Sequence, residues 1–501
     1  MKILFVTPEC APMVKTGGLG DVSAALPRAL KALGHDVVVL MPAYGDMAAE
    51  LRLQQVVSVP AEGPWPAAQL LQTTAPDGLP MWLLSCPGMF THASSPYGDA
   101  SPHAGFGQAV GFGLLSRVAA LLGTRANPCG WHADLLHAND WPCGLAPLYL
   151  RQARAGGATD VARSVMTIHN LAFQGVFPLA AADVLGISSV HRGMDGVEYW
   201  GQLSMLKAGL QFADAITTVS PTYAREIQQP SLGFGLDGVL RARAQDLHGI
   251  LNGIDGDVWN PESDPFIDAR YTVATLAQKR KNKAALRKRL SMQNSEGPLL
   301  GLVGRLTGQK GIDLVLGGAA RFLAAGAQLV VLGRGEASFE QGLNELAAAH
   351  PGQVHATLGF DEPLAHQIEA GADCFLMPSR FEPCGLNQMY SQAYGTPPLV
   401  NHTGGLADTV VDAAPDGSSG TGFVMAEATQ SEFDSAVERM LRAWQQPRQW
   451  QALQERGMRQ DFSWRQRAAQ YVALADSLLQ RDGERVSGEA ARSAIRNPGR
   501  A

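Results

Sequence analysis

Short runs of valine, isoleucine and leucine that are apolar at nearly every position, rather than at every second one, recur along this chain and alternate with longer helical patterns. In the first half they read KILFV (2–6), DVVVLMP (36–42), MWLLS (81–85), DLLHA (134–138), SVMTIH (164–169), AITTVS (215–220) and GILNG (249–253). A strand that is apolar on both faces must be covered on both faces, which requires a parallel sheet between two layers of helices. The first half is therefore expected to be an α/β domain. The pattern breaks over 255–275, beginning DGDVWNPESDPF, where Asp, Pro, Asn and Gly make up a linker composition. It then resumes in LLGLVG (299–304), AQLVVLG (327–333), DCFLMP (373–378) and TPPLV (396–400). A second Rossmann-like domain is expected there.

Composition narrows the function classes. A chain of 501 residues has room for two or three domains. A formal charge of −6 argues against a dedicated nucleic-acid binder, which needs a strongly cationic surface to displace phosphate counterions. Small anionic ligands remain compatible with it if a few Lys and Arg converge locally. No apolar run approaches the roughly 18 residues of a membrane span, and MKILFV is too short for the apolar region of a signal peptide. A cytoplasmic protein with no membrane partner is expected. The six cysteines show no C-x-x-C spacing and read as reduced core thiols, without disulfides or structural zinc. The basic run KRKNKAALRKR (279–289) is expected to be a solvated helix face and receives no function. Ser463 stands where it can cap a helix carrying Trp464, Ala468, Tyr471, Val472, Ala475, Leu478 and Leu479 on one face. From about residue 482 that periodicity is lost, and a mobile tail is expected.

Open α/β sheets bind ligands beyond the carboxyl ends of their strands, so the polar motifs at those ends carry the functional argument. KILFV leads into Lys15-Thr16-Gly17-Gly18-Leu19-Gly20-Asp21 and then a helical stretch. Glycines let backbone N–H groups approach a phosphate, the helix start adds partial positive charge, and Lys15 adds a full one. This is not a dinucleotide fingerprint. Gly18-x-Gly20-x-x-Ser23 lacks the third glycine, and the second strand ends in Met41-Pro42 without the acid that holds a ribose. Gly333-x-Gly335-x-x-Ser338 fails in the same way. In the second half, Arg305 and Lys310 follow the first strand, and two cations suit a diphosphate. Glu382, between an aromatic residue and a proline, is placed to accept sugar hydroxyls or support a cationic centre. Thr403-Gly404-Gly405 forms another glycine turn, and His137, Asp140, Trp141, His169, Asn170 and Gln174 end further strands. Each feature alone also fits a structural turn, a solvated cation, a helix-start carboxylate or a hydrogen-bonded core histidine. Their shared position at strand ends is what points to a site.

Together these segments resemble the bacterial glycogen synthases and plant starch synthases. The resemblance is carried by KTGGLGDV (15–22), HANDW (137–141), TIHNLAFQG (167–175), GQLSMLKAGL (201–210), VSPTYAREI (219–227), LNGID (251–255), RLTGQKG (305–311), SRFEPCGL (379–386) and TGGLADTV (403–410), in family order over about residues 1–480. It implies the α/β fold called GT-B, in which two Rossmann-like domains face across a cleft and a C-terminal helix crosses back to the N-terminal domain. The corresponding segments here are 1–253 on the acceptor side, 254–460 for the nucleotide sugar, 461–481 for the returning helix, and a tail over 482–501. The implied reaction is transfer of glucose from ADP-glucose to the non-reducing end of an α-1,4-glucan such as glycogen, with retention, no cofactor and no metal.

The same resemblance puts Lys15, Gly17 and Gly18 near the donor's phosphates and glucose, with Arg305 and Lys310 neutralising the diphosphate. Thr403, Gly404 and Gly405 supply further donor contacts, and Phe360 lies against the adenine. His169, Glu382, Lys15 and Asp140 are the catalytic candidates, His169 touching the donor glucose and Glu382 holding its hydroxyls. Asp21, Asn170 and Gln174 fall in the sugar and acceptor cleft. Three positions depart from the family or superfamily pattern. Asn139 replaces a common His, Trp200 stands where some members have Asn, and Tyr390 occupies the place of a second Glu, so no ribose-binding carboxylate is assigned. Two alternatives stay open: a related retaining glucosyltransferase with UDP-glucose or another acceptor, and a non-catalytic glucan-binding scaffold. The joint presence of Lys15, Arg305, Lys310 and Glu382 argues against the scaffold. Oligomeric state is left open.

Overall fold

The computed structural model describes residues 1–47, 53, 55–75, 77–86, 88–90 and 107–496, with side chains described as far as residue 480. The chain divides into two units. One holds Met1–Val219, Ala224–Leu251 and the residues from Trp464 onward, and the other holds Ser220–Tyr223 and Asn252–Ser463.

The first unit is built on a nine-stranded sheet of β1 (Lys2–Val6), β2 (Asp36–Pro42), β3 (Gln55–Val59), β4 (Ala68–Thr74), β5 (Pro80–Ser85), β6 (Leu135–Asn139), β7 (Arg163–Ile168), β11 (Ala215–Thr218) and β12 (Leu247–Gly249). Their order is β12-β11-β7-β6-β1-β2-β5-β4-β3. The strands from β12 to β5 are parallel, and Leu4, Phe5, Val6, Val39 and Leu136 are fully buried, as two-sided coverage requires. Strands β3 and β4 escape the sequence reading for a physical reason. They form an antiparallel edge on β5, and β3 alternates exposed and buried residues instead of presenting a continuous apolar run. The last expected strand is corrected in register: the pairing segment is Leu247–Gly249, and GILNG begins where it ends. A small antiparallel sheet of β8 (Val176–Pro178), β9 (Glu198–Tyr199) and β10 (Gln202–Ser204), ordered β8-β10-β9, completes this unit.

The second unit has a six-stranded, wholly parallel sheet of β13 (Leu299–Leu306), β14 (Gln328–Gly335), β15 (Val354–Leu358), β16 (Cys374–Met377), β17 (Pro398–Asn401) and β18 (Phe423–Met425). The order β15-β14-β13-β16-β17-β18 is the doubly wound arrangement in which the chain reverses direction across the sheet between β13 and β16. Strands β15 and β18 are edge strands, short or half-buried, and carry too weak a pattern to be foreseen.

Two expectations about polar segments are revised. The segment of linker composition, expected within 254–460, is packed into the second unit instead of spanning freely: Trp259 stacks between His366 (3.8 Å between ring centres) and Tyr390 (4.0 Å), and buried Asp264 accepts from His366 Nδ1 (2.7 Å) and Tyr394 OH (2.5 Å). The basic helix Lys279–Arg289 is a solvated face only in part: Arg280, Lys281, Lys288 and Arg289 are exposed, whereas the opposite side is buried. Lys279 is buried and its Nζ donates to the carbonyls of Glu369 and Ala370 and to Thr396 Oγ1, while Lys283 pairs with Asp373 at 2.6 Å. The reason is that helix Glu362–Gly371 ends there, and its unpaired C-terminal carbonyls attract a cation. Burial lowers the Lys279 pKa to about 7.

The helix that starts at Trp464 lies against helix Gly18–Ala32, and Trp464, Ala468, Tyr471, Ala475 and Leu478 enter the same core as Ile3, Phe5 and Val22. This supplies the groove that its apolar face needs. Instead of breaking at 482 into a tail, the helix continues to Arg496, because Glu, Arg and Ala propagate a helix without needing burial. Residues 497–501 lie outside the described residues. Among the described residues no helix is long and apolar enough to cross a membrane. Leu478→Ala should lower the unfolding free energy by about 2–4 kcal/mol, the ordinary cost of a buried leucine cavity, measured as a shift of the urea midpoint at unchanged slope.

Candidate active site

In each sheet the strand order reverses between two neighbouring parallel strands, and the loops leaving their carboxyl ends diverge to leave a crevice. In the first unit these strands are β1 and β6, and in the second they are β13 and β16. The polar residues singled out by the sequence gather at both places.

At the first crevice the turn after β1 is organised by Glu9, a buried residue that the sequence reading passed over. Its carboxylate accepts from Thr16 N and Thr16 Oγ1, both at 2.6 Å, and from the Gly17 N–H. Thr7 Oγ1 hydrogen-bonds Ser23 Oγ at 2.8 Å and fastens the turn to the following helix. Lys15 pairs with Asp21 at 2.8 Å. Gly17 begins the helix Gly18–Ala32 without a side-chain cap, in extended backbone that any residue adopts, and a Cβ there would meet nothing within 4 Å. The fold therefore does not demand glycine at 17. The open space before the helix N–H groups is what glycine preserves.

The loops after β6 and β7 are joined by Asp140, whose Oδ1 accepts from the backbone N–H of His169 (2.7 Å) and Asn170 (3.4 Å). Burial raises the Asp140 pKa to about 7, with those hydrogen bonds opposing the shift and the Glu9 charge adding to it. Burial also pushes His169 down to about 3, so its ring is neutral. Asn139 sets the tautomer. Its Nδ2 donates to the carbonyls of Val6 (3.0 Å) and His137 (3.3 Å), so its Oδ1, 3.0 Å from His169 Nε2, must accept from that ring nitrogen. His169 Nδ1 is left as an acceptor. The departure to Asn139 thus keeps a positioning role for the position. His137 is structural, its Nε2 joined to Thr167 Oγ1 (2.6 Å) and its ring lying against Phe5 and Tyr471. Asn170 Oδ1 accepts from Ala172 N at 3.1 Å. Gln174 is buried, and its Nε2 donates to the Phe234 carbonyl at 2.8 Å. Gly175, at φ +58°, lies so close to Trp141 that a Cβ would come within 2.2 Å of the indole.

At the second crevice Lys310 Nζ donates to Glu382 Oε2 at 2.5 Å, and Ser379 Oγ donates to the same oxygen at 3.0 Å. Lys310 ends a short helical turn, Gly308–Lys310, followed by Gly311 at φ +70°, where a Cβ would lie 2.3 Å from the Pro378 carbonyl. The close approach of these two loops brings the lysine to the glutamate. Arg305 is exposed, its guanidinium 3.4 Å from Gln309 Oε1. Arg380 is committed elsewhere, in a two-pronged pair with Asp313 at 2.8 and 2.7 Å. Gly404 and Gly405, which follow Thr403, also arrive at Glu382, and Gly405 N donates to the Glu382 carbonyl at 3.2 Å. A Cβ on Gly404 or Gly405 would fall within 1.9 Å or 2.1 Å of the carbonyls of Glu382 and Cys384, so packing of these loops accounts for both glycines. Phe360 stands well exposed after edge strand β15, two strands from β13.

Comparison with known proteins decides the family. Residues 2–242 match the starch synthase catalytic domain, and 286–455 match glycosyl transferases group 1. The chain is 60% identical to the glycogen synthase of Paracidovorax citrulli, covering 94% of each, and 50% identical to that of Aromatoleum aromaticum, covering 95% of this chain and 96% of the relative. The chain belongs to the glycogen synthase and starch synthase family. The catalytic domain of starch synthase IV from Arabidopsis thaliana, solved bound to ADP and acarbose, superposes with a TM-score of 0.86 at 32% identity, covering 95% of this chain and 99% of that one. A sucrose-phosphate synthase from Thermosynechococcus elongatus, at 18% identity and a TM-score of 0.60, shares the fold. The fold is GT-B, and the family assignment makes the chain a glycosyltransferase.

Glu9 and Asp140 both carry raised pKa values, so the folded state holds protons that the unfolded chain releases. Their ionisation opposes folding. Stability contributed through Asp140 should fall as pH rises from about 4 to about 7. Urea midpoints across that range should show the decline in the native chain and a flatter profile in Asp140→Asn.

Proposed function

We propose that this glycosyltransferase moves glucose from ADP-glucose to the non-reducing 4-hydroxyl of an α-1,4-glucan, elongating glycogen with retention of configuration. The observation that carries the reading is the Lys310–Glu382 pair at the crevice between β13 and β16, with Arg305 exposed at the carboxyl end of β13 itself. Breaking the anomeric bond leaves new negative charge on the departing diphosphate. Cations held in place before the reaction bind that charge better in the transition state than in the ground state, which lowers the barrier. In the second unit Arg305 and Lys310 fill this role, and in the first unit Lys15 and the uncapped helix start at Gly17 and Gly18 offer positive charge to a phosphate, so the reading needs no metal and no cofactor. Names of relatives agree with the substrates: bacterial glycogen synthases, and a starch synthase solved with ADP and the oligosaccharide acarbose.

In this reading Glu382 holds hydroxyls of the donor glucose and aligns Lys310. The carboxylate oxygen that accepts from both Lys310 and Ser379 is poorly suited to attack carbon. That favours same-face substitution, in which the leaving phosphate accepts the acceptor's proton, over a covalent glucosyl-enzyme. His169, neutral and with Nδ1 free of the Asn139 bond, accepts from a glucose hydroxyl. In the first unit Asp140, Asp21 and Asn170 contact sugar, and in the second unit Thr403 to Gly405 support the donor and Phe360 covers the adenine.

The test is nucleotide release with glycogen and either ADP-glucose or UDP-glucose. Release is expected with ADP-glucose, and UDP-glucose should be at least tenfold poorer in kcat/KM. A preference for UDP-glucose replaces the donor assignment, and release with neither ends the synthase reading. Arg305→Ala should lose about 10²-fold in kcat/KM, the scale of one preorganised charge contact. It is a cleaner probe than Lys310→Ala, which strands the buried Glu382 carboxylate and destabilises the fold as well.

A further inference from the structure

Strands β9 and β10 form a hairpin whose two linking residues are Trp200 and Gly201, at φ +51° and +78°. Positive φ at both central positions is the requirement of a type I′ turn, which favours Asn or Gly at the first of them. A bulky residue is strained there. Burial does not offset the strain, because Trp200 is 79% exposed. Neither turn chemistry nor core packing explains a tryptophan at this position.

The exposure does not come from a loose turn. Glu198 Oε1 accepts from Gly201 N (2.6 Å), Lys207 Nζ donates to the carbonyls of Glu198 (2.5 Å) and Met194 (2.6 Å), and Tyr199 OH donates to the Phe234 carbonyl (2.7 Å). The indole edge rests above Gly235, where a Cβ would come within 3.1 Å of Trp200 Nε1. The Phe234 carbonyl is shared: Gln174 Nε2 donates to it from the other side. Gln174 is 93% buried by its 7% exposure, and its Oε1 has no hydrogen-bond partner among the described residues. Beside it Phe173 is half-exposed.

We propose that Trp200 is a platform for a glucose unit of the α-1,4-glucan acceptor, extending the acceptor path outward from Gln174. The proposal rests on the acceptor reading given above and adds to it a residue that neither the turn nor the core requires to be aromatic. A pyranose ring presents C–H groups on its faces and hydroxyls at its rim. A rigid indole offers its face to the first, Gln174 Oε1 is an acceptor still without a partner among the described residues, and two side-chain torsions make the ordering cost of the indole small. A neutral polymer also suits a chain of net charge −6 better than a stacked nucleic-acid base does.

The experiment is titration of the full chain with maltoheptaose, without nucleotide sugar, followed by calorimetry. Trp200→Asn installs the residue that the turn prefers, so it should fold at least as stably as the native chain, and it should bind maltoheptaose about tenfold more weakly. Trp200→Phe should recover part of that loss, and the KM for glycogen should rise in parallel in Trp200→Asn. Native-like maltoheptaose affinity and glycogen KM in Trp200→Asn, with transfer to glycogen intact in the native chain, overturn the platform and leave the acceptor reading standing. A native chain that neither binds maltoheptaose nor transfers to glycogen overturns the acceptor reading itself. A change of sedimentation coefficient in Trp200→Asn, with glucan affinity unchanged, assigns the ring to an interface between copies of the chain and also overturns the platform.

Discussion

A sheet whose strands are apolar on both faces has no room for polar chemistry except at its ends. That constraint governs both units. Leu4, Phe5 and Val6 are sealed between helices, and the chain becomes polar as soon as β1 ends, at Thr7 and Glu9. The same happens after β6, at Asp140, and at the end of β13, where exposed Arg305 precedes Lys310 in the following turn. Within each sheet the parallel strands all end on one side, so each unit delivers its own polar groups together, and reversal of the strand order opens a space among them.

What holds the delivered groups in place is buried hydrogen bonding rather than surface charge. Glu9 accepts three donors from the Thr16–Gly17 turn, and Asp140 bridges two strand ends through the main chain. Each carboxylate is costly to bury, and each is kept because its removal would leave backbone N–H groups unsatisfied. Lys310 and Glu382 follow the same logic, with Ser379 as the third member. Such networks fix geometry ahead of substrate, and electrostatic catalysis depends on that preorganisation. The stacked Trp259, His366 and Tyr390 show the structural version: the tyrosine packs on Trp259 of the segment 255–275.

Elements with a continuous apolar run were legible in the sequence, as were the glycine turn at 15–21 and the cations at 305 and 310. The missed elements share one property. Strands β3, β4, β15 and β18 lie at sheet edges or beside them, where partial exposure dilutes the apolar signal. The basic helix was misjudged because seven cations in eleven residues look solvated, whereas Lys279 and Lys283 find carbonyls and an aspartate contributed by residues about 90 positions away. Glu9 was passed over because a lone glutamate after a strand has no local pattern to mark it.

The sequence by itself determined two parallel-sheet units and the strand ends at which their polar residues must collect, since apolar periodicity and glycine placement act over a few residues. Tertiary structure decided the rest. It alone brought Glu9 to Gly17, set the His169 tautomer through Asn139, and assigned Gly404 and Gly405 to loop packing. It also left Trp200 standing in solvent on a strained turn. These outcomes depend on which distant groups share a buried space, and hydrogen-bond satisfaction within that space is not written in any local stretch of residues.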